Sequence, residues 1–381
     1  MEKFLKLWRT YPWAVLFAAF ILILTALDMT NADRERSEME NRSLKTRPEL
    51  SWKVLMDGEY DEKFDGYIND QFIGRDGWIT LKSRTESLLG KTENNGILYG
   101  KDDYLFVKLD ALDEKRCADN RRYLQEFFEM YPKLPVTLAV VPNSYAVLSD
   151  KLPYGVPFID QTAITREIYA QAPEHVLTLD LQPVLQEHKE EYIYYRTDHH
   201  WTVYGAYLAA DAYARQRGMQ LPPFSEFSSS ARTVEGFYGT SYSKAKKAGT
   251  VPDSMLLPDI PLSLTVGEEQ KPGLYDEEKL STRDKYAAYL WGNNGFTALR
   301  GENNRYPAAG GQKTRVLLIK DSFGNSFAPF LSYLYDEVDI IDLRYINQLS
   351  DYLTKTGYDD VLLLYNFESL VSDPYLSTLR Y

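Results

Sequence analysis

Four short runs of this chain are mostly apolar and do not alternate: residues 136–141 (VTLAVV), 315–319 (RVLLI), 338–343 (VDIIDL) and 361–365 (VLLLY). A strand with one wet face alternates polar and apolar residues. Runs that do not alternate are buried on both faces, the condition of strands in a parallel sheet covered by helices. The intervening segments fit that arrangement. Helices are predicted over residues 118–131, 162–172, 203–217, 326–335 and 347–356, with a further strand at 177–181. The expected class is α/β, a parallel sheet flanked by helices. Residues 52–89 read as helical, with Phe64, Tyr67, Ile68, Phe72 and Trp78 on an intermittent apolar face. Residues 94–110 read as two short strands punctuated by Asn95-Gly96 and Gly100. Residues 222–311 are rich in Ser, Pro, Gly and Asn and are expected to form a long, partly β insertion. No internal repeat is evident.

The amino-terminal segment adds a second constraint. Residues 11–27 form an apolar run preceded by Lys3, Lys6 and Arg9 and ended by Asp28. At about 1.5 Å per residue, roughly 17 residues lie at the short end of what crosses a bilayer. Trp8, Tyr11 and Trp13 stand where an interfacial aromatic belt would lie. Residues 25–29 (TALDM) offer no small-residue cleavage pattern, so an uncleaved anchor is expected rather than a removed signal peptide. The expected organisation is a cytoplasmic tip and transmembrane anchor at 1–28, an extracytoplasmic stalk and helical segment at 29–94, and the α/β domain at 95–381. The chain would then be a single-pass protein of the cell membrane with its carboxyl-terminal domain outside.

Charge and residue counts exclude several functions. The net charge is −12, unsuited to nucleic acid, because affinity for a phosphate backbone comes from Lys and Arg. Cys117 is the one cysteine, so neither an internal disulfide nor a thiolate zinc site is available. There are four histidines: His175, His188, His199 and His200.

Two motifs carry chemistry. In RVLLIKDSFGNSF (315–327) a buried strand runs through Asp321-Ser322 and Gly324-Asn325 into a helix. A serine there is presented outside the carboxyl end of a strand, where ligands bind in open parallel sheets. Backbone N–H groups near Ser322 and Gly324 would meet an oxyanion. The same residues also read as a plain helix cap. In YRTDHHWT (195–202), Asp198 and His200 are two apart, which lets both face one way in an extended loop with His199 turned elsewhere. A serine hydroxyl needs a near-neutral base, and that base needs a carboxylate to fix its tautomer. Each motif supplies what the other lacks. Trp201 is expected to wall the site, and Asp198 also reads as a cap. The DHH triplet occurs in metal-dependent phosphoesterases too, but His175 and His188 stand in no ligand-like context, and neither a metal nor an organic cofactor is expected. Arg344 follows a predicted strand and would support an oxyanion or a substrate carboxylate, or else form a surface ion pair. Asn366 and Asn143 sit at comparable strand ends.

DHHW (198–201) resembles the signature of the DHHW proteins, which are similar to the alginate O-acetyltransferase group of SGNH hydrolase-like proteins. ENRSL (40–44), NDQFIGRDGW (69–78) and NGILYGKDDYLF (95–106) extend the resemblance over most of the chain. It implies an SGNH hydrolase-like fold with an Asp-x-His element preceding the serine, and by position Asp198, His200 and Ser322 as the catalytic residues; the reading of the residues themselves adds Gly324, Asn325, Arg344 and Trp201 as oxyanion or substrate neighbours. It implies O-acetyl transfer onto a cell-surface polysaccharide, with acetyl supplied across the membrane by a multi-span O-acyltransferase partner. An acetyl esterase with the same three residues is one alternative. A non-catalytic polysaccharide-binding or assembly factor that keeps the shell is another.

Overall fold

The computed structural model describes residues 8–37, 39–40, 42–52, 56–355 and 357–381. The chain divides into two compact units, one of residues 1–91 with 246–248 and one of 92–245 with 249–381.

In the first unit, helix α1 (Pro12–Thr30) is long and apolar enough to cross a membrane, and none of its residues is buried by protein. The segment expected to be one helical stretch forms two, α2 (Glu59–Gln71) and α3 (Arg75–Leu88), because Gly74 between them adopts φ +66°. Lys53, Val54 and Leu55 lie outside the described residues. The ENRSL and NDQFIGRDGW motifs build an ion network. Arg42 donates to both oxygens of Asp70 at 2.8 and 2.5 Å, and Glu40 meets Arg42, Arg75 and Lys246. The Arg42 guanidinium holds the Asp70 carboxyl down at about 2.

The second unit opens with a small antiparallel meander, β1 (Glu93–Asn94), β2 (Ile97–Tyr99) and β3 (Leu105–Val107). Helix α4 (Glu114–Met130) follows, starting a turn earlier than expected because Asp113 caps it by accepting from Arg116 N–H. Strand β4 (Val136–Val141), helix α5 (Gln161–Ala170), strand β5 (Val176–Asp180) and helix α6 (Val203–Gln216) come next. The segment read as an insertion then supplies strands β6 (Arg232–Phe237), β7 (Asp253–Leu257), β8 (Ser263–Val266), β9 (Glu269–Lys271) and β10 (Phe296–Arg300). Strands β11 (Arg315–Lys320), β12 (Glu337–Ile341) and β13 (Asp360–Asn366) complete the fold.

Eight strands form one sheet in the order β9–β8–β10–β12–β11–β13–β4–β5. The five from β12 to β5 are parallel, as the apolar runs require; β8, β9 and β10 add to one edge antiparallel. Residues 222–311 are therefore partly β, as expected, but three of their strands extend the central sheet. Counted from β11 and wrapping through β13 back to β4, the parallel strands read 2-1-3-4-5, the doubly wound order with its start displaced along the chain. The order reverses at β11, which puts the crevice at the carboxyl ends of β11 and β13.

Alternate residues of these strands enter opposite faces. Val316, Leu318, Ile340 and Leu362 pack with Ala206, Ala209 and Tyr213 of α6, while Leu317, Ile319, Ile341 and Leu363 pack with Phe127 and Phe128 of α4. Each fully buried aliphatic side chain contributes about 1.5–3 kcal/mol. The helix expected at 326–335 is instead an α-turn, Gly324–Phe327, continued as a 3-10 segment, Ala328–Tyr333. Pro329 has no N–H to continue an α-helix.

Candidate active site

Strand β11 carries the chain to the sheet's switch point and ends in a tight turn. The Asp321 carboxylate accepts from Phe323 N–H at 3.0 Å and from Asn366 N–H at the end of β13 at 2.9 Å, tying the turn to the neighbouring strand. Burial pushes the Asp321 carboxyl up. Gly324 is packed so closely that a Cβ there would lie 2.6 Å from the Lys320 Cβ. Its N–H donates to Asp321 O at 3.1 Å, so it is not available to an oxyanion as the sequence suggested; the reason is that the turn closes on itself before the helix begins. Among the described residues, no acceptor meets Ser322 N–H.

The other half of the site is the loop that precedes α6. Thr202 caps the helix and donates to Tyr192 O at 2.7 Å, and Tyr194 bridges Trp201. Between them the chain bends instead of extending. The Asp253 carboxylate gathers Thr197 N–H at 2.8 Å, Thr197 Oγ1 at 2.6 Å, Arg196 N–H at 3.1 Å and Tyr192 OH at 2.5 Å. Leu105 of β3 donates to Arg196 O at 2.8 Å. Asp198 then folds back, its Oδ1 accepting from His200 N–H at 3.0 Å and meeting His200 Nδ1 at 2.5 Å. Its Oδ2 accepts from Thr240 N–H at 2.7 Å and from Thr240 Oγ1 at 3.0 Å. Burial alone would raise the Asp198 carboxyl, but the two imidazoles and these donors outweigh it and hold it ionised far below the usual carboxylate range. A Cβ on Gly239 would fall 2.2 Å from Asp198, so only glycine lets the Thr240 backbone approach.

The two halves meet. His200 Nε2 lies 2.7 Å from Ser322 Oγ, which completes an unbroken hydrogen-bonded line Asp198–His200–Ser322 across 122 residues of sequence. Tyr286 stacks on the His200 ring at 3.7 Å between centroids and 9° between planes, and its hydroxyl donates to Ser322 O at 3.3 Å.

The remaining expected residues take other places. Trp201 does not wall the cleft: it is wholly buried, donating from Nε1 to Phe323 O at 3.1 Å and to Ser326 Oγ at 3.0 Å, so it clamps the serine turn to the loop. Asn325 is buried, donates to Asn293 Oδ1 at 3.1 Å and is not among the residues that line the cleft. Arg344 does line the cleft, held by Asp342 at 2.8 and 2.5 Å. Asn366 lines it too but donates to Val141 O, and Asn143 reaches Glu368. His199, expected to point elsewhere, lies against His200 at 3.9 Å between centroids and lines the same cleft, because the loop bends where alternation had been assumed. The cleft has a volume of about 480 Å³, with Lys244, Glu368 and Tyr375 on its walls.

Thr240, Gly239, Asp253 and Tyr286 were missed. The pair Gly239-Thr240 is a faint signal, a small residue beside a hydroxyl. Tyr286 is one tyrosine among 30 and carries none. Asp198, His199 and His200 offer ligand atoms within 4.8 Å of one another, but both Asp198 oxygens and both His200 ring nitrogens already have hydrogen-bond partners.

Comparison with known proteins places these observations. A protein described as a probable alginate O-acetylase, AlgJ of Pseudomonas syringae pv. tomato, is 25% identical over 206 residues, covering 52% of this chain and 50% of that protein. The chain thus spans about half the length of that curated relative. A DHHW family protein from Eubacterium siraeum shares the fold with a TM-score of 0.63 at 24% identity, covering 75% of this chain and 95% of that one. PatB1 of Bacillus cereus aligns with a TM-score of 0.58 at 16% identity, covering 73% and 98%, and PatB1 is also known with a sulfonyl adduct. The model of the DHHW protein family matches residues 147–341, more than half of the sequence and the whole span from before the Asp-His-His-Trp loop to beyond the serine turn, and the chain belongs to that family.

Proposed function

We propose that this protein is a membrane-anchored, extracytoplasmic O-acetyltransferase that modifies a cell-surface polysaccharide through an acetyl-serine on Ser322. The observation that carries the reading is the line from Asp198 through His200 to Ser322, at 2.5 and 2.7 Å. The likeness to a probable alginate O-acetylase supports the choice of acyl group and polymer.

In the first step Ser322 Oγ attacks the acetyl carbonyl while its proton passes to His200 Nε2. The ionised Asp198 stabilises the imidazolium and fixes its orientation. The oxyanion takes the N–H of Ser322. Collapse releases the donor's leaving group, which recovers the proton from His200. In the second step a sugar hydroxyl gives its proton to His200 and attacks the acetyl-serine, freeing Ser322. Water in place of the sugar gives the acetyl esterase. Tyr286 holds the imidazole between these states by stacking. The acetyl donor is expected to come through a multi-span O-acyltransferase, since acetyl-CoA is cytoplasmic, and α1 is expected to keep the domain at the outer face of the membrane.

Turnover of 4-nitrophenyl acetate tests the reading. Ser322→Ala and His200→Ala should each lower kcat/KM by about 10³-fold or more with the fold intact by circular dichroism, and an aryl sulfonyl fluoride should modify Ser322 and abolish turnover. Unchanged turnover in Ser322→Ala would reject it in favour of a non-catalytic binding shell.

A further inference from the structure

His199 has no role in the steps above, yet the same carboxylate that orients His200 also orients His199. Thr240 Oγ1 lies 3.0 Å from Asp198 Oδ2 and 2.6 Å from His199 Nδ1. Asp198 is ionised and can only accept, so the Thr240 hydroxyl proton points at Asp198. Its oxygen must then accept from His199 Nδ1–H. That fixes the tautomer of His199: the proton is on Nδ1, and Nε2 is a bare lone pair. The ring lines the cleft that holds Ser322, with 34% of its side-chain surface open, and among the described residues no group meets Nε2. Partial burial, reinforced by the nearby His200 and opposed by Asp198, lowers the His199 imidazole from its ordinary value, which favours the neutral ring. The two ring centroids lie 3.9 Å apart; His200 presents Nε2 to Ser322, and the His199 ring lines the same cleft.

We propose that His199 is the acceptor-side specificity residue: its Nε2 accepts a hydrogen bond from a hydroxyl adjacent to the one that attacks, so that the acyl-enzyme discharges to a vicinal diol in preference to water. This rests on the acetyl-serine reading. In the discharge step the attacking hydroxyl forms the new ester bond and gives its proton to His200 Nε2. The Ser322–acetyl bond breaks, and Ser322 Oγ recovers that proton. The neighbouring hydroxyl keeps its own proton and only donates a hydrogen bond to His199. A simple alcohol or water has no second hydroxyl to engage.

The test is a partition ratio. Full-length protein in detergent is acetylated with 4-nitrophenyl acetate in the presence of methyl α-D-mannopyranoside, methyl α-D-glucopyranoside or methanol. Acetyl-glycoside or methyl acetate is measured against free acetate, and acetyl on Ser322 is followed by peptide mass. The ratio is internal to the active molecules, so partial unfolding of a variant does not distort it. Wild type should favour at least one glycoside over methanol at equal concentration. His199→Phe should lower the glycoside-to-acetate ratio about tenfold, as expected for one lost hydrogen bond, and leave the methanol-to-acetate ratio in place. His199→Gln, which keeps an acceptor, should recover part of it. An acetylated enzyme whose glycoside ratio is the same in wild type and His199→Phe, or which never prefers a diol, overturns the inference alone. A wild type never acetylated on Ser322 overturns the catalytic reading and this inference with it.

Discussion

Residues 195–202 and 315–327 hold the groups that would make and break bonds, whereas residues 222–311 hold the groups that fix them in place. The two regions are built differently. The first pair are ends of regular elements: Ser322 follows a strand buried from Val316 to Lys320, and His200 precedes the cap of α6. The second region works from short elements outside the parallel sheet: Thr240 opens the helix Thr240–Ala245 and meets Asp198, Tyr286 lies in a 3-10 turn (Lys285–Ala288) and stacks on His200, and Asp253 opens β7 and holds Thr197. Half of the Asp198 hydrogen bonds come from each region. A site of this kind depends on the middle segment as much as on its own motifs, because a displacement of about 1 Å costs roughly 10²-fold in rate.

That comparison can be broken by substitutions confined to the middle segment. Gly239→Ala forces a Cβ onto Asp198 and should lower kcat/KM for 4-nitrophenyl acetate about 10²-fold; turnover near wild type would mean that the 239–240 backbone does not hold the carboxylate. Asp253→Asn removes a buried charge with four donors and should destabilise the second unit by about 2 kcal/mol in urea titrations; a change within error would show the loop to be held by other contacts. Tyr286→Leu removes the ring from His200 and should lower kcat about tenfold with KM little changed; full activity would reduce the tyrosine to filler. The smallest effect belongs to the motif region. Burial lowers the Lys320 amine to about 8 despite Asp342, against about 10.4 in an unfolded chain. Between those values the unfolded chain binds a proton that the folded chain does not, so stability from this group rises with pH and is lost as pH falls through about 8. Lys320→Met lacks that slope, and the stability of wild type relative to it should grow by about 1 kcal/mol from pH 8 to about pH 9; parallel pH curves would show the amine to be fully paired.

The parallel strands were legible because a non-alternating apolar run has few other uses, and the strand-end serine because buried strands deliver residues to one sheet edge. The Asp-His-His-Trp loop was legible as chemistry, since a base and its carboxylate are uncommon so close together. Its conformation was not. Alternation predicts sides only in extended chain, and the Asp198 turn onto His200 N–H put His199 into the cleft. Trp201 was misplaced for a related reason: a side chain's burial depends on what packs over it, here Phe323 and Phe327, which are 122 and more residues away. The middle segment resisted because its contributions are tertiary, and Gly239, Tyr286 and Asp253 carry no local periodicity. In the first unit, ENRSL and NDQFIGRDGW looked like markers of resemblance, and their physical content is the Glu40–Arg42–Asp70–Arg75 ion network.

The central claim is tested most directly by rapid acid quench of the full-length protein with 4-nitrophenyl acetate, followed by peptide mass analysis. The account predicts an acetyl group on Ser322 within the burst of nitrophenol release, abolished in Ser322→Ala and strongly slowed in His200→Ala. Nitrophenol release with Ser322 unmodified, or unchanged release in either variant, would contradict it.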